Sequence, residues 1–99
     1  MEKEMTDKEA YLQKLQAKLD EWEANINALK AKASGANADA QIQMNKQIRE
    51  LESDKSEMKQ KYEELKAASD EAWKDISSGM EAAWDRVSAS FRNAADRFK

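Results

Sequence analysis

Large apolar residues recur every three or four positions along almost the whole of this 99-residue chain, and no proline interrupts them. That spacing marks one face of an α-helix, because 3.6 residues make a turn, and proline is the strongest internal breaker. Leu12, Leu15, Leu19, Trp22, Ile26 and Leu29 form a first stripe. Met44, Ile48, Leu51, Met58, Tyr62 and Leu65 form a second, with Lys55 its one polar member. Alternating steps of three and four are the heptad spacing of a coiled-coil seam. The expected fold is all-α.

Local signals divide the chain. Thr6-Asp7-Lys8-Glu9 fits a capping box, in which a hydroxyl and a Glu three residues later satisfy free backbone N–H groups. Residues 1–5 are expected to fray. Between the stripes lies Ala33-Ser34-Gly35-Ala36-Asn37-Ala38-Asp39, where Gly35 can end one helix and Asn37 can cap the next. Folding at 34–37 sets Leu29 opposite Met44, Ile26 opposite Ile48, Trp22 opposite Leu51, Leu15 opposite Met58 and Leu12 opposite Tyr62. Residues 6–69 are thus predicted to form an antiparallel coiled-coil hairpin. The alternative is one long continuous coiled-coil helix, since a single glycine costs only about 1 kcal/mol in a helix.

Residues 70–99 are predicted to form an amphipathic helical tail. Ala72-Trp73-Lys74-Asp75-Ile76, Ala83-Trp84-Asp85-Arg86-Val87 and Ala94-Ala95-Asp96-Arg97-Phe98 repeat at eleven-residue intervals. Eleven residues close three helical turns almost evenly, so Trp73, Ile76, Met80, Trp84, Val87, Phe91, Ala95 and Phe98 share one face. Ser69-Asp70-Glu71 reads either as a cap for a third helix or as part of a solvated face, and Gly79 as a candidate bend. The expectation is an uninterrupted helix over 38–97, with the tail projecting beyond the hairpin.

Composition narrows the function. Seventeen basic and 20 acidic residues leave a net charge of −3 without a basic cluster, which argues against nucleic-acid binding. Histidine and cysteine are both absent, removing the usual general base near neutral pH, the usual nucleophiles and most metal-ligand sets. No catalytic, cofactor-binding or metal-binding residue is expected. Glu63, Glu64, Asp70 and Glu71 lack calcium-loop spacing and read as a solvated acidic face. No stretch approaches the roughly 20 apolar residues that span a bilayer, and the first residues lack a signal-peptide core. The expected location is the cytoplasm, with peripheral attachment to a membrane as the variant.

The segment Tyr11-Leu12-Gln13-Lys14-Leu15-Gln16-Ala17-Lys18-Leu19-Asp20-Glu21-Trp22, the charged helical middle and the Ala-Trp repeats resemble a group of small bacterial coiled-coil proteins. These are often likened to the apolipoprotein A1/A4/E helical class. The resemblance covers about Thr6 to Lys99 and implies long amphipathic helices that associate in bundles or on lipid surfaces.

Two covers for the tail stripe follow. Tails of several chains can bury one another, giving a homo-oligomer, most simply a dimer with four helices, or the helices of another protein can do so. Alternatively the stripe enters a membrane or lipid interface, with Arg86, Arg92 and Arg97 reaching toward water. Five basic and six acidic residues over 70–99 supply no net attraction to anionic lipid, which ranks assembly first. Trp22 reads as ordinary seam packing or as an anchor between two hairpins, because two helices alone cannot surround an indole. Lys55 is expected to lay its stem across Leu19 with its ammonium in water, or to set the helix register.

Overall fold

The computed structural model describes residues 6–98, so the expected fraying of residues 1–5 lies outside the described residues. Three helices occupy it: α1 (Asp7–Ser34), α2 (Ala38–Ala67) and α3 (Trp73–Arg97). They pack into an elongated bundle of 54 × 30 × 19 Å.

The first two helices follow their local signals. Thr6 is the N-cap of α1, its Oγ1 accepting from the Glu9 N–H at 3.1 Å. Gly35 ends α1 and its N–H donates to the Lys32 carbonyl at 3.1 Å. The Gly35 φ is −96°, so the turn makes no use of the left-handed conformation that glycine permits. Asn37 then caps α2, its Oδ1 accepting from the Ala40 N–H at 2.9 Å. The predicted turn and the hairpin reversal are both present.

The continuous 38–97 helix is corrected, and with it the single long helix offered as an alternative. α2 stops at Ala67, Ala68 is extended with ψ 149°, and α3 starts at Trp73. Ser69 supplies the local stop. Its Oγ accepts from the Ala72 N–H at 3.2 Å, and its carbonyl accepts from the Ala72 and Trp73 N–H groups at 3.1 Å each. Neither reading of Ser69-Asp70-Glu71 holds whole: the three residues are exposed and Ser69 caps a turn over 69–72, whereas the N-cap of α3 is Ala72, which makes no side-chain cap bond. The tail therefore does not project; α3 folds back over the hairpin.

Core composition explains why. Leu15, Leu19, Trp22, Ile26, Leu29 and Ala33 of α1 join Met44, Ile48, Leu51, Met58 and Leu65 of α2 in one cluster. Met80, Trp84, Val87, Phe91 and Ala94 of α3 complete it. Leu51, Met58 and Leu65 are wholly buried, placing α2 between its two neighbours. Each large apolar side chain removed from water contributes about 1.5–3 kcal/mol before ordering costs, so docking α3 outweighs the few helical hydrogen bonds lost at the break. Leu12 and Tyr62, the last predicted layer, are half-buried at the open end of the hairpin.

Gly79 does not interrupt α3; it lies inside the helix on the exposed side, with open space where a side chain would stand. Gly79→Ala should therefore stabilise the fold by about 0.5–1 kcal/mol through reduced backbone entropy. Asn37→Ala should cost about 1 kcal/mol by removing the α2 cap, whereas Asn37→Gly should cost only a few tenths. Urea unfolding of the three variants checks both signs.

Candidate helix-docking site

The residues predicted as an exposed interface form an internal one. Met80, Trp84, Val87 and Phe91 are buried against the hairpin, while Trp73, Ile76 and Phe98 are half-buried at the two ends of α3. Within the stripe one assignment changes: Ala94 is buried and Ala95 exposed. Ser77 is also buried, its hydroxyl donating to the Lys74 carbonyl at 3.0 Å. Ser77, Met80, Trp84, Val87, Phe91 and Ala94 advance in alternating threes and fours. Burial therefore follows the same spacing as the hairpin seams rather than the eleven-residue repeat, because a helix laid along those seams must keep step with them.

At the centre, the Trp22 ring lies 5.0 Å from the Trp84 ring and 5.1 Å from the Phe91 ring, stacked at 26° and 9°. Trp84 and Phe91 are seven residues apart, which is about 10.5 Å along a helix. The two separations span that interval, so the Trp22 indole inserts between two α3 rings. Aromatic pairs of this geometry add about 0.5–1.5 kcal/mol each beyond their buried area. Trp22 thus has its cover within the chain. Tyr11 and Trp73 close one end of the groove, with ring centres 6.1 Å apart. Phe98 closes the other, beside Leu29 and Phe91, with the Arg97 guanidinium 5.4 Å above its ring.

Polar groups border this interface. Arg86 of α3 reaches Asp54 at 4.0 Å and Glu57 at 3.6 Å on α2. Lys55 lies with Leu19 along a shallow groove and extends to the Glu23 carboxylate at 3.6 Å. Lys30 pairs with Glu52 at 2.8 Å. Such exposed pairs contribute about 0–1 kcal/mol each, so they guide register more than they hold the bundle. The ends of α1 also serve the other helices: Lys8 donates to the Ala68 carbonyl, and Lys32 donates to the Phe98 carbonyl at 2.6 Å. Cations at helix C-termini satisfy free carbonyls and complement the helix dipole. The sequence held no local sign of these bonds, whose partners lie 60 and 66 positions apart.

Glu63, Glu64, Asp70 and Glu71 face solvent, and among the described residues no group of three acidic side chains is placed to share a metal ion. Nor is any helix among the described residues long and apolar enough to cross a membrane. Comparison with protein-family models, with curated proteins and with solved structures finds no match in any of the three.

Among the described residues one buried side-chain polar atom goes unpaired: the Trp84 Nε1 hydrogen has no acceptor. Burying a donor without a partner costs about 1–3 kcal/mol. Trp84→Phe should consequently be tolerated within about 1 kcal/mol, because the loss of ring volume is offset by removal of the orphan donor. Trp84→Ala should cost about 3–5 kcal/mol. Thermal melts of the two variants measure the difference.

Tyr11 is the titrating group that the docking of α3 perturbs. Burial pushes its phenol above the ordinary value near 10, and the nearby Glu81 and Asp85 carboxylates push it the same way. A raised folded-state pKa means that the unfolded chain releases this proton first. The contribution is intact below pH 10 and is lost as pH rises from 10 through the folded-state value. Tyr11→Phe should reduce the alkaline loss of stability and leave the neutral region almost unchanged, as read by denaturant titrations between pH 7 and 11.

Proposed function

We propose that this protein is a non-catalytic helical assembly module that self-associates through its coiled-coil seams and the aromatic face of α3. The observation that carries this reading is the insertion of Trp22 between Trp84 and Phe91. It makes the α1–α2 hairpin a receiving groove for an amphipathic helix with large rings two turns apart. Helix-in-groove recognition of this kind reads anchors at i, i+3 or i+4 and i+7, which Trp84, Val87 and Phe91 supply. In one closed chain the groove is filled by the chain's own α3. A helix of a second copy, or of a partner protein with the same anchors, presents an equivalent surface.

The absence of histidine and cysteine from the sequence supports the non-catalytic part of the proposal. The perturbed Tyr11 phenol is moved away from neutrality, opposite to the tuning a general base needs.

A second reading is reversible attachment to a lipid surface, in keeping with the apolipoprotein-like resemblance and with a cytoplasmic protein peripheral at a membrane. It is favoured by α3 itself, which gathers two tryptophans, Met80, Val87 and Phe91 on its inner side while small Ser78 and Gly79 face solvent. A lipid interface would replace the hairpin against those rings.

Sedimentation of the parent protein across micromolar concentrations, paired with flotation on neutral, highly curved vesicles, separates the two. Assembly predicts mass that rises with concentration and protein that stays off the vesicles. A monodisperse monomer at every concentration rejects assembly. Salt-insensitive flotation transfers the proposal to lipid, since the α3 segment has no net positive charge to be screened.

A further inference from the structure

We infer that two copies of this chain exchange their α3 helices by straightening residues 68–72, so that α2 and α3 become one helix and each α3 docks on the partner's hairpin. The inference rests on the assembly reading above and specifies the partner and the route.

The break between α2 and α3 is unlike a loop that must stay bent. Ala68-Ser69-Asp70-Glu71-Ala72 contains no glycine or proline, and among the described residues no non-glycine residue has positive φ. Every one of these five residues is accepted in a helix interior. The bend is held by the Ser69 cap, by the Lys8 bond to the Ala68 carbonyl and by the docking of α3. Straightening loses the cap and that bond but adds backbone hydrogen bonds across the former break, and docking is regained on the second copy. Exchange of an identical element is a low-cost route to dimers for this reason.

The apolar pattern meets the geometric demand that such a dimer makes. Two antiparallel fused helices must present the α2 and α3 stripes on the same side. At about 100° per residue, the α2 stripe (Met44, Ile48, Leu51, Met58, Tyr62, Leu65) and the α3 stripe (Met80, Trp84, Val87, Phe91, Ala94) centre within about 20° of each other. Ser69, Trp73 and Ile76 fall on the shared face, while Asp70 and Glu71 fall outside it and remain in water. Two stripes joined by an arbitrary five-residue linker have no need to coincide in this way. The Arg86 pairs with Asp54 and Glu57 also carry over, between chains, because each α3 keeps its orientation relative to the α2 it covers.

Asp70→Pro tests the route directly. Ser69-Asp70-Glu71-Ala72 is a turn closed by the Ala72 N–H on the Ser69 carbonyl, and proline is favoured at the second position of such a turn, so the closed chain accommodates the change. In a fused helix the same proline is internal and costs about 3 kcal/mol per chain. Dimerisation should weaken by more than about a thousandfold, at 1.4 kcal/mol per tenfold, while the monomer keeps its helical circular dichroism. Ser69→Ala acts in the opposite direction. Losing one turn-capping hydrogen bond per chain, at about 1 kcal/mol each, should tighten the dimer by about 30-fold. Small-angle scattering of the dimer should give a longest dimension near 90 Å, the length of a 60-residue helix, against 54 Å for the closed chain.

A parent dimer that persists unchanged in Asp70→Pro, or that is no longer than the closed chain, overturns exchange while leaving self-association standing. Absence of a dimer in the parent and in Ser69→Ala overturns both. Should Asp70→Pro not fold, Ser69→Ala decides alone: tighter association supports exchange, and unchanged or weaker association rejects it.

Discussion

The insertion of Trp22 between Trp84 and Phe91 is the constraint on which the rest of the bundle depends. An indole midway along a two-helix hairpin has one side open to water, and packing of α1 on α2 alone leaves it there. Covering it requires a third helix, and the one that follows among the described residues begins a few residues after α2 ends. The chain must then reverse between Ala67 and Trp73. The break is thus imposed by the core, with Ser69 providing a suitable local stop rather than the cause.

This origin explains what was legible in the sequence. The hairpin was readable because its determinants are local: Gly35 before Asn37, a hydroxyl at Thr6, and two stripes whose period differs from any strand pattern. The second reversal was not, because Ala68 to Ala72 contains no residue that a helix refuses, and tertiary contacts outweighed propensity. The eleven-residue repeat located every large buried side chain of α3, since Met80, Trp84, Val87 and Phe91 satisfy both periods. It failed at its end, choosing Ala95 over Ala94. Two alanines side by side offer no apolar contrast, and the partner surface determines which is buried. Lys8, Lys32 and Arg86 were unreadable for a further reason: charged residues are plentiful on all three helices, and only the fold assigns their partners.

The two interfaces of the bundle differ in kind. α1 and α2 are joined by a tight capped turn and matched aliphatic seams, with Lys30–Glu52 and Lys55–Glu23 along the edge. α3 is joined to α2 by a five-residue link whose middle three residues are exposed, and it meets α1 chiefly through large rings at the middle and the ends. Regions differ in the free energy needed to open them, and an element joined through a short link and packed over one face is the natural unit to open first. The same features that complete the core therefore mark α3 as the exchangeable part.

The unpaired Trp84 indole bears on how readily that happens. Its N–H finds no acceptor in the docked arrangement but would be hydrated once α3 leaves the groove, so undocking recovers about 1–3 kcal/mol that burial had cost. An α3 docked on its own hairpin and an α3 docked on a second copy bury the same group in the same surroundings. The penalty therefore cancels between those two docked forms and leaves their balance to the link at 68–72 and to concentration. What it lowers is the free energy of the undocked state through which they exchange. A phenylalanine at this position would fill nearly the same space without that effect, which separates the indole's contribution to packing from its contribution to release.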